Sequence, residues 1–216
     1  MEENLVAKSV ELEDVVLTIG SKAWRVAGFD FALPLSENVN DQILKAIYDS
    51  DSFFEGTVRK HQVLVYIPKF DDLGAFFIKW WQEILSVNNL PLSVQFTDIY
   101  NISYYFDRLK VDPGWYLFTA KPLPDSTHKT WTQQRQLLKN GYRVPNVHEL
   151  LTFFIMSYLN GIELEDRCIF GRVVDDFYGV PLSVSQAINK RVNVICEDNE
   201  NELQDNVGIY ACKKII

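Results

Sequence analysis

The chain has 216 residues and a net charge of −8, with 47% hydrophobic and 23% charged residues. These proportions are ordinary for a globular protein, and the length allows one domain or two small ones. The negative charge argues against nucleic acid as the main partner. The acidic N-terminus resembles neither a signal nor a transit peptide, and no apolar run approaches the roughly 20 residues of a membrane span. We therefore expect a cytoplasmic or virion-associated protein without membrane insertion.

In the N-terminal half, strand patterns and helix patterns follow one another along the chain. Asn40 is expected to cap the first helix, and Trp80 and Trp81 lie on the apolar side of the second, where we expect core packing. The expected order is a hairpin of strands at 15–20 and 23–28, a helix after Asn40, a strand at 61–67, a helix at 71–89 and a strand at 92–106.

An Asp-Pro-Gly sequence at residues 112–114 interrupts these elements and predicts a boundary. We therefore expect a mixed α/β N-terminal region at 1–111 and a separate domain at 112–216. The domain begins with a strand, "GWYLFTA", and continues into a short helix. Thr130 and Gln133 form a capping-box pattern at the start of that helix, and Gly141 is placed to end it in a left-handed conformation.

A second helix follows Pro145, which keeps the preceding residues extended. Asn146 and Glu149 have the spacing of a capping box, and Asn160-Gly161 is expected to stop the helix. His148, beside Glu149, is interpreted as part of a surface contact rather than an acid–base pair. The remaining residues form strand-like pieces between polar loops.

The sequence offers no motif for a metal, a cofactor or catalysis. Three cysteines, Cys168, Cys196 and Cys212, occur without a Cys-x-x-Cys pair or zinc-ligand spacing, so they are expected to be reduced, neutral thiols. P-loop, dinucleotide-binding and nucleophile-elbow motifs are missing as well. We therefore predict that the chain is not an enzyme and carries neither cofactor nor metal.

Two stretches, "GYRVPNVHEL" at 141–150 and "NVGIYACKK" at 206–214, resemble motifs of the C-type lectin fold. The first is similar to the Gly-aromatic-Arg-Leu-Pro stretch of the formylglycine-generating-enzyme-like branch, and the second to its terminal Asn-x-Gly-Phe-Arg strand. The resemblance implies an α+β protein whose residues 112–216 form a domain of two helices and short antiparallel strands. The reactive cysteine pair of that branch has no counterpart around Cys196 and Cys212, so its catalysis is not implied.

The order of elements is also similar to the variable proteins of diversity-generating retroelements, which carry this fold at the C-terminus. In that family a reverse transcriptase rewrites codons for side chains on one face, and that face binds a partner. Residues 182–206 resemble such a variable region. The resemblance implies ligand contacts from eight positions: Ser183, Ser185, Asn189, Asn193, Ile195, Asp198, Asn199 and Asn201.

Period-two alternation places the apolar residues of this region on the inner side of a sheet. The expected anchors are Val184, Val192, Val194, Val207, Ile209 and Ala211. Ser183, Ser185, Asn193 and Ile195 would then face the other way. The acidic run at 196–206 is interpreted as a solvated or variable loop, and a calcium loop is the alternative.

The expected function is therefore binding of a protein or cell-surface ligand through a diversified face. Two alternatives stay open. One is a structural or interaction module of a virus or microbe without diversification, and the other is a divergent enzyme of the formylglycine-generating type.

Overall fold

The computed structural model describes residues 16–29, 37–69, 77–97, 112–164, 170–177, 180–186, 189–196 and 205–216. Within these ranges the chain folds into helices and two mixed sheets, which confirms the α+β class. The helices are α1 Ser21–Val26, α2 Glu37–Tyr48, α3 Val58–His61, α4 Phe77–Val87, α5 Trp131–Arg135 and α6 Val147–Leu159. The strands are β1 Thr18–Ile19, β2 Gln62–Ile67, β3 Ser93–Thr97, β4 Gly114–Thr119, β5 Phe170–Phe177, β6 Val180–Ser185, β7 Arg191–Cys196, β8 Val207–Ile209 and β9 Cys212–Lys214.

The strands form two sheets, here called sheet 1 and sheet 2. Sheet 1 has the order β1-β2-β4-β9, and only its β1–β2 pair is parallel. Sheet 2 has the order β3-β7-β6-β5-β8, with parallel pairs at its two ends and antiparallel pairs in its middle.

Both sheets contain strands from each side of the expected boundary at residue 112. In sheet 1, β2 pairs with β4 along its whole length, from Gln62 opposite Thr119 to Ile67 opposite Gly114. In sheet 2, β3 pairs with β7 along five residues. The N-terminal and C-terminal regions therefore share their backbone hydrogen bonding as well as their core.

Helix α6 contacts both sheets and is the centre of the core. Every residue from Val147 to Ser157 is buried, because strands of both sheets and α1 pack around it. On the side of sheet 1, Phe153 stacks on Phe118 with 4.7 Å between ring centroids. On the side of sheet 2, a Cβ at Gly171 would lie 2.8 Å from Leu150 Cδ2, so only glycine allows this close approach.

The two capping boxes predicted from local patterns are confirmed. Asn146 Oδ1 accepts the Glu149 N–H at 2.8 Å, and Glu149 Oε2 accepts the Asn146 N–H at 2.9 Å. Thr130 and Gln133 make the same reciprocal pair at α5. Helix α6 ends at Leu159, immediately before Asn160 and a left-handed Gly161.

Two N-terminal predictions are wrong. Residues 23–28 were expected to form a strand, but Ser21–Val26 form α1, because Trp24 is buried there against other elements. Its Nε1 donates to Tyr66 O at 2.8 Å, and its ring stacks on Trp81. The predicted cap Asn40 lies inside α2, three residues after the helix begins.

Gly141 has the predicted positive φ, 77°, but a different role. Helix α5 already ends at Arg135, so Gly141 does not cap it. Asn140 and Gly141 instead form a left-handed turn that leads into the bridge between Arg143 and Cys212.

Burial decides two further predictions. Trp81 is a core residue, as predicted. His148 and Glu149 are both buried rather than on the surface, because α6 is covered on all sides. Parts of the sequence predictions lie outside the described residues: the start of the helix at 71–76, the continuation of the strand after 97, the environment of Cys168, and the acidic run at 197–204.

Candidate binding face

One end of sheet 2 presents an open outer face, formed by β7 and β3. Along β7 the side chains alternate, so Val192 and Val194 are fully buried while Arg191, Asn193 and Ile195 lie on the opposite side. Arg191 is exposed, and Asn193 and Ile195 are half-buried. The buried valines therefore hold a strand whose other side is open to a partner.

Strand β3 adds side chains to this face. Ser93 lies opposite Arg191, and Gln95 lies opposite Asn193. Directly opposed residues of neighbouring strands share a side of the sheet, so these four side chains form one surface. Gln95 is exposed and Ser93 is half-buried. We call Ser93, Gln95, Arg191, Asn193 and Ile195 the β3–β7 face.

A tight turn before β7 borders this face. Asn189 and Lys190 have φ values of 50° and 62°, and both are exposed. Lys190 O accepts the Ser93 N–H at 3.0 Å and lies 3.4 Å from Ser93 Oγ, so β3 holds the turn in place. Lys190 and Arg191 place two positive charges here, in a chain whose net charge is −8.

Two of the predicted ligand-binding positions are buried. Ser183 lies opposite Ile195 and so on the predicted side of the sheet, but neither it nor Ser185 has exposed surface, so the expectation that they contact a ligand is wrong. Ser183 lies opposite Arg172, which is itself buried because the segment around α5 covers this part of the sheet. Arg172 Nη1 donates to Lys129 O at 3.2 Å and to Gln134 Oε1 at 3.0 Å. Ser185 Oγ accepts the Asn193 N–H at 2.8 Å.

The other predicted positions divide into two groups. Asn189, Asn193 and Ile195 lie at the β3–β7 face or its bordering turn. Asp198, Asn199 and Asn201 lie outside the described residues. The anchor prediction is confirmed for all six positions, since Val184, Val192, Val194, Val207, Ile209 and Ala211 are buried.

Sequence reasoning missed the contribution of Ser93, Gln95, Lys190 and Arg191. The alternation in "SVQFT" indicated that Ser93 and Gln95 share one side of a strand. Nothing local indicated that this strand lies beside β7, because 97 residues separate Ser93 from Lys190.

The buried polar groups Glu149 and Cys212 have structural surroundings rather than those of a catalytic or metal site. Arg143 forms a two-pronged ion pair with the buried Glu149. The Cys212 thiol is buried, and this burial raises its pKa, so the thiol stays protonated at neutral pH. Within the described ranges, no group of three or more His, Cys, Asp or Glu residues is arranged to hold a metal ion.

Comparisons with protein families, curated proteins and solved structures find no match to this chain in any of the three. Among the described helices, none combines the length and the apolar character that crossing a membrane requires.

Proposed function

We propose that this chain is a non-catalytic binding protein with a C-type lectin fold, of the kind encoded beside diversity-generating retroelements. The β3–β7 face and the turn at Asn189 and Lys190 contact the partner, which is a protein or a cell-surface ligand. The observation that carries the proposal is the alternation along β7. Asn193 and Ile195 lie on the open side, whereas Val192 and Val194, which alternate with them, are fully buried.

The contact between the two motif stretches supports the fold assignment. Arg143, in the first stretch, donates its N–H to Cys212 O at 2.9 Å and accepts the Cys212 N–H at 2.8 Å. The second stretch also supplies β9, which pairs antiparallel with β4 at the start of the expected domain. The residues that carry the resemblance are therefore neighbours in the fold as well as motifs in the sequence.

The composition of the face supports binding. It presents hydroxyl, amide, guanidinium and aliphatic groups within a small area, and these groups adapt to different partners. Its backbone is held by strand pairing on both sides of β7. Antibodies bind in a similar way, through variable side chains that a rigid scaffold holds in place.

The test is a display library of the full chain, randomised at Ser93, Gln95, Arg191, Asn193 and Ile195. We expect most members to display as folded protein, because surface substitutions usually change stability by about 0.5 kcal/mol or less. Selection on hen lysozyme and on serum albumin, used as two unrelated probes, should give distinct binders. A matched library at Val184, Val192 and Val194 should lose folded display. Equal intolerance in both libraries would contradict the proposal.

Diversification itself has a separate test in the DNA. We expect a reverse-transcriptase gene nearby and a near-copy of the codons for residues 182–206 that differs only at adenines. A gene without these neighbours would favour a structural module, whereas oxidation of a Cys-containing peptide by the purified chain would favour the enzyme alternative.

A further inference from the structure

Strand β3 has one hydrogen-bonded neighbour among the described strands, β7, and lies at the end of sheet 2. The pair is parallel, and the Ser93 N–H bonds to Lys190 O at 3.0 Å. In a parallel pair, alternate residues bond to a given neighbour. Ser93 and Gln95 therefore bond to β7, and the N–H and C=O groups of Val94 and Phe96 point to the opposite edge.

A side chain occupies part of that edge. Gln82 Nε2, from α4, donates to Val94 O at 2.8 Å. The backbone N–H of an added strand would donate to the same carbonyl oxygen, so the Gln82 side chain occupies a hydrogen-bonding position of that strand. Gln82 is an exposed residue, and its side chain can swing away into solvent.

A groove of about 660 Å³ runs between α4 and this edge. Leu85, Leu92 and Val94 line it and are almost fully buried. Gln82, Ser86 and Asn89 line it from the helix side. The groove is open to solvent, and its lining is about as polar as it is apolar.

The groove and the edge contain no charged side chain among the described residues that line them. Natural edge strands are usually protected from pairing by lysine, proline or an inward-pointing charge. The sequence of β3, "SVQFT", has none of these. Apart from the Gln82 contact, the described residues therefore give this edge none of these protections, and the uncharged amides and hydroxyls around it suit a peptide backbone.

We propose that the edge of β3 binds an extended, uncharged peptide segment of a partner protein by strand addition, and that the segment displaces the Gln82 side chain. Main-chain hydrogen bonds supply affinity in such sites, and alternate side-chain pockets supply specificity. A second copy of β3 would bring its own α4 alongside, whereas a peptide segment would not, so the groove favours a peptide. This site is the edge of the sheet, and it adjoins the β3–β7 face, with which it shares Ser93 and Gln95.

Hydrogen exchange in the full-length protein tests the open edge. We expect the Val94 and Phe96 amides to exchange at least about ten times faster than the Gln95 amide, which is bonded to β7. Equal protection of all three at every protein concentration would mean that the chain covers its own edge, and would overturn the proposal. Protection that appears only at high concentration would assign the edge to a second copy and overturn the peptide as occupant.

A displayed library of seven-residue peptides, selected against the full chain, tests the occupant. Bound peptides should slow exchange at Val94 and Phe96. Two N-methylated versions of each peptide are compared, one modified at the odd-numbered residues and one at the even-numbered residues. Only one edge of the peptide faces β3, so one version should lose binding and the other should keep it.

Gln82→Ala should bind the same peptides about three to ten times more tightly, since a competing hydrogen bond is lost. Glu83→Ala, an exposed neighbour on α4 that does not line the groove, should bind them unchanged. Failure to select any peptide that protects Val94, or binding without the N-methyl alternation, would overturn the proposal.

Discussion

Arg143 and Glu149 form a two-pronged ion pair at the start of α6. Nη1 donates to Oε2 and Nη2 donates to Oε1, each at 2.6 Å. The carboxylate is 2% exposed and the arginine side chain 46% exposed. Glu149 also accepts the Asn146 N–H, so one buried carboxylate joins the helix cap to the extended stretch before it.

Arg143→Ala should destabilise the protein by about 3 kcal/mol, because it leaves a buried carboxylate without its counter-charge. The arginine is half exposed, so we expect the lower end of the range for such pairs. Arg143→Lys should recover part of the loss, because it restores the positive charge. The recovery should be incomplete, because an ammonium cannot form the two-pronged contact. Urea titration measures both, with the exposed Lys139→Ala as control. Equal stability of Arg143→Ala and Lys139→Ala would contradict a structural role for the pair.

A fragment of residues 112–216 should not fold as a stable unit. Without the preceding residues, β4 loses its pairing with β2 over six residues and β7 loses β3. The core loses Trp24, Val63, Val65 and Trp81 as well. Far-ultraviolet circular dichroism and thermal unfolding of the fragment, beside the full chain, measure this. A cooperative transition in the fragment would show that the C-terminal region is an independent domain after all.

Adjacent residues on β7 should respond differently to the same new charge. Val194→Asp buries an unpaired carboxylate in the core and should cost several kcal/mol, enough to unfold the protein. Asn193→Asp, on the open side, should change stability by about 0.5 kcal/mol or less. Soluble expression and thermal unfolding of the two variants decide this. Similar losses in both would mean that the outer side of β7 is also packed.

The stability of the protein should fall at alkaline pH through Tyr142. Its hydroxyl donates to Gln62 Oε1 at 2.9 Å, and burial raises its pKa from 10.0 to about 12. Below pH 10 the side chain is protonated in both the folded and the unfolded states, so its contribution is fully present. Between pH 10 and pH 12 the unfolded state ionises first, and the free energy of unfolding decreases.

Tyr142→Phe should therefore lose less stability between pH 9 and pH 11 than the unchanged protein, although it is less stable at pH 9 because Gln62 loses its partner. Urea titrations at the two pH values measure the difference. Tyr48→Phe, which changes an exposed ring, is the control and should follow the unchanged protein. Identical pH dependence in all three proteins would exclude Tyr142 as the group responsible.

The sequence predicted those features whose cause is local. The caps at Thr130 and Asn146 depend on residues three positions apart, and the inward valines of β7 depend on simple alternation. These features depend on only a few consecutive residues, so a short sequence pattern is enough to predict them.

The missed features depend on contacts between distant residues. Trp24 lies in a helix because Tyr66 and Trp81 provide its partners, and this context outweighs the strand-like alternation around it. Ser183 is buried because the segment around α5 covers its neighbour Arg172. The β3–β7 face was only half recognised, since the strand order of a sheet cannot be read from either strand alone.

The long-range pairing of both sheets also has a consequence for the speed of folding. Ser93 meets a partner 97 residues away, and Thr119 Oγ1 accepts the N–H of Ala211, 92 residues away. Closing such loops costs chain entropy before the contacts between the distant residues can form and stabilise the chain. We therefore expect folding in milliseconds to seconds rather than in microseconds. During synthesis, β3 emerges long before β7 exists to pair with it. The newborn chain therefore carries an unpaired, uncharged strand while the residues between β3 and β7, somewhat less than half of the chain, are synthesised, and aggregation is a hazard at that stage.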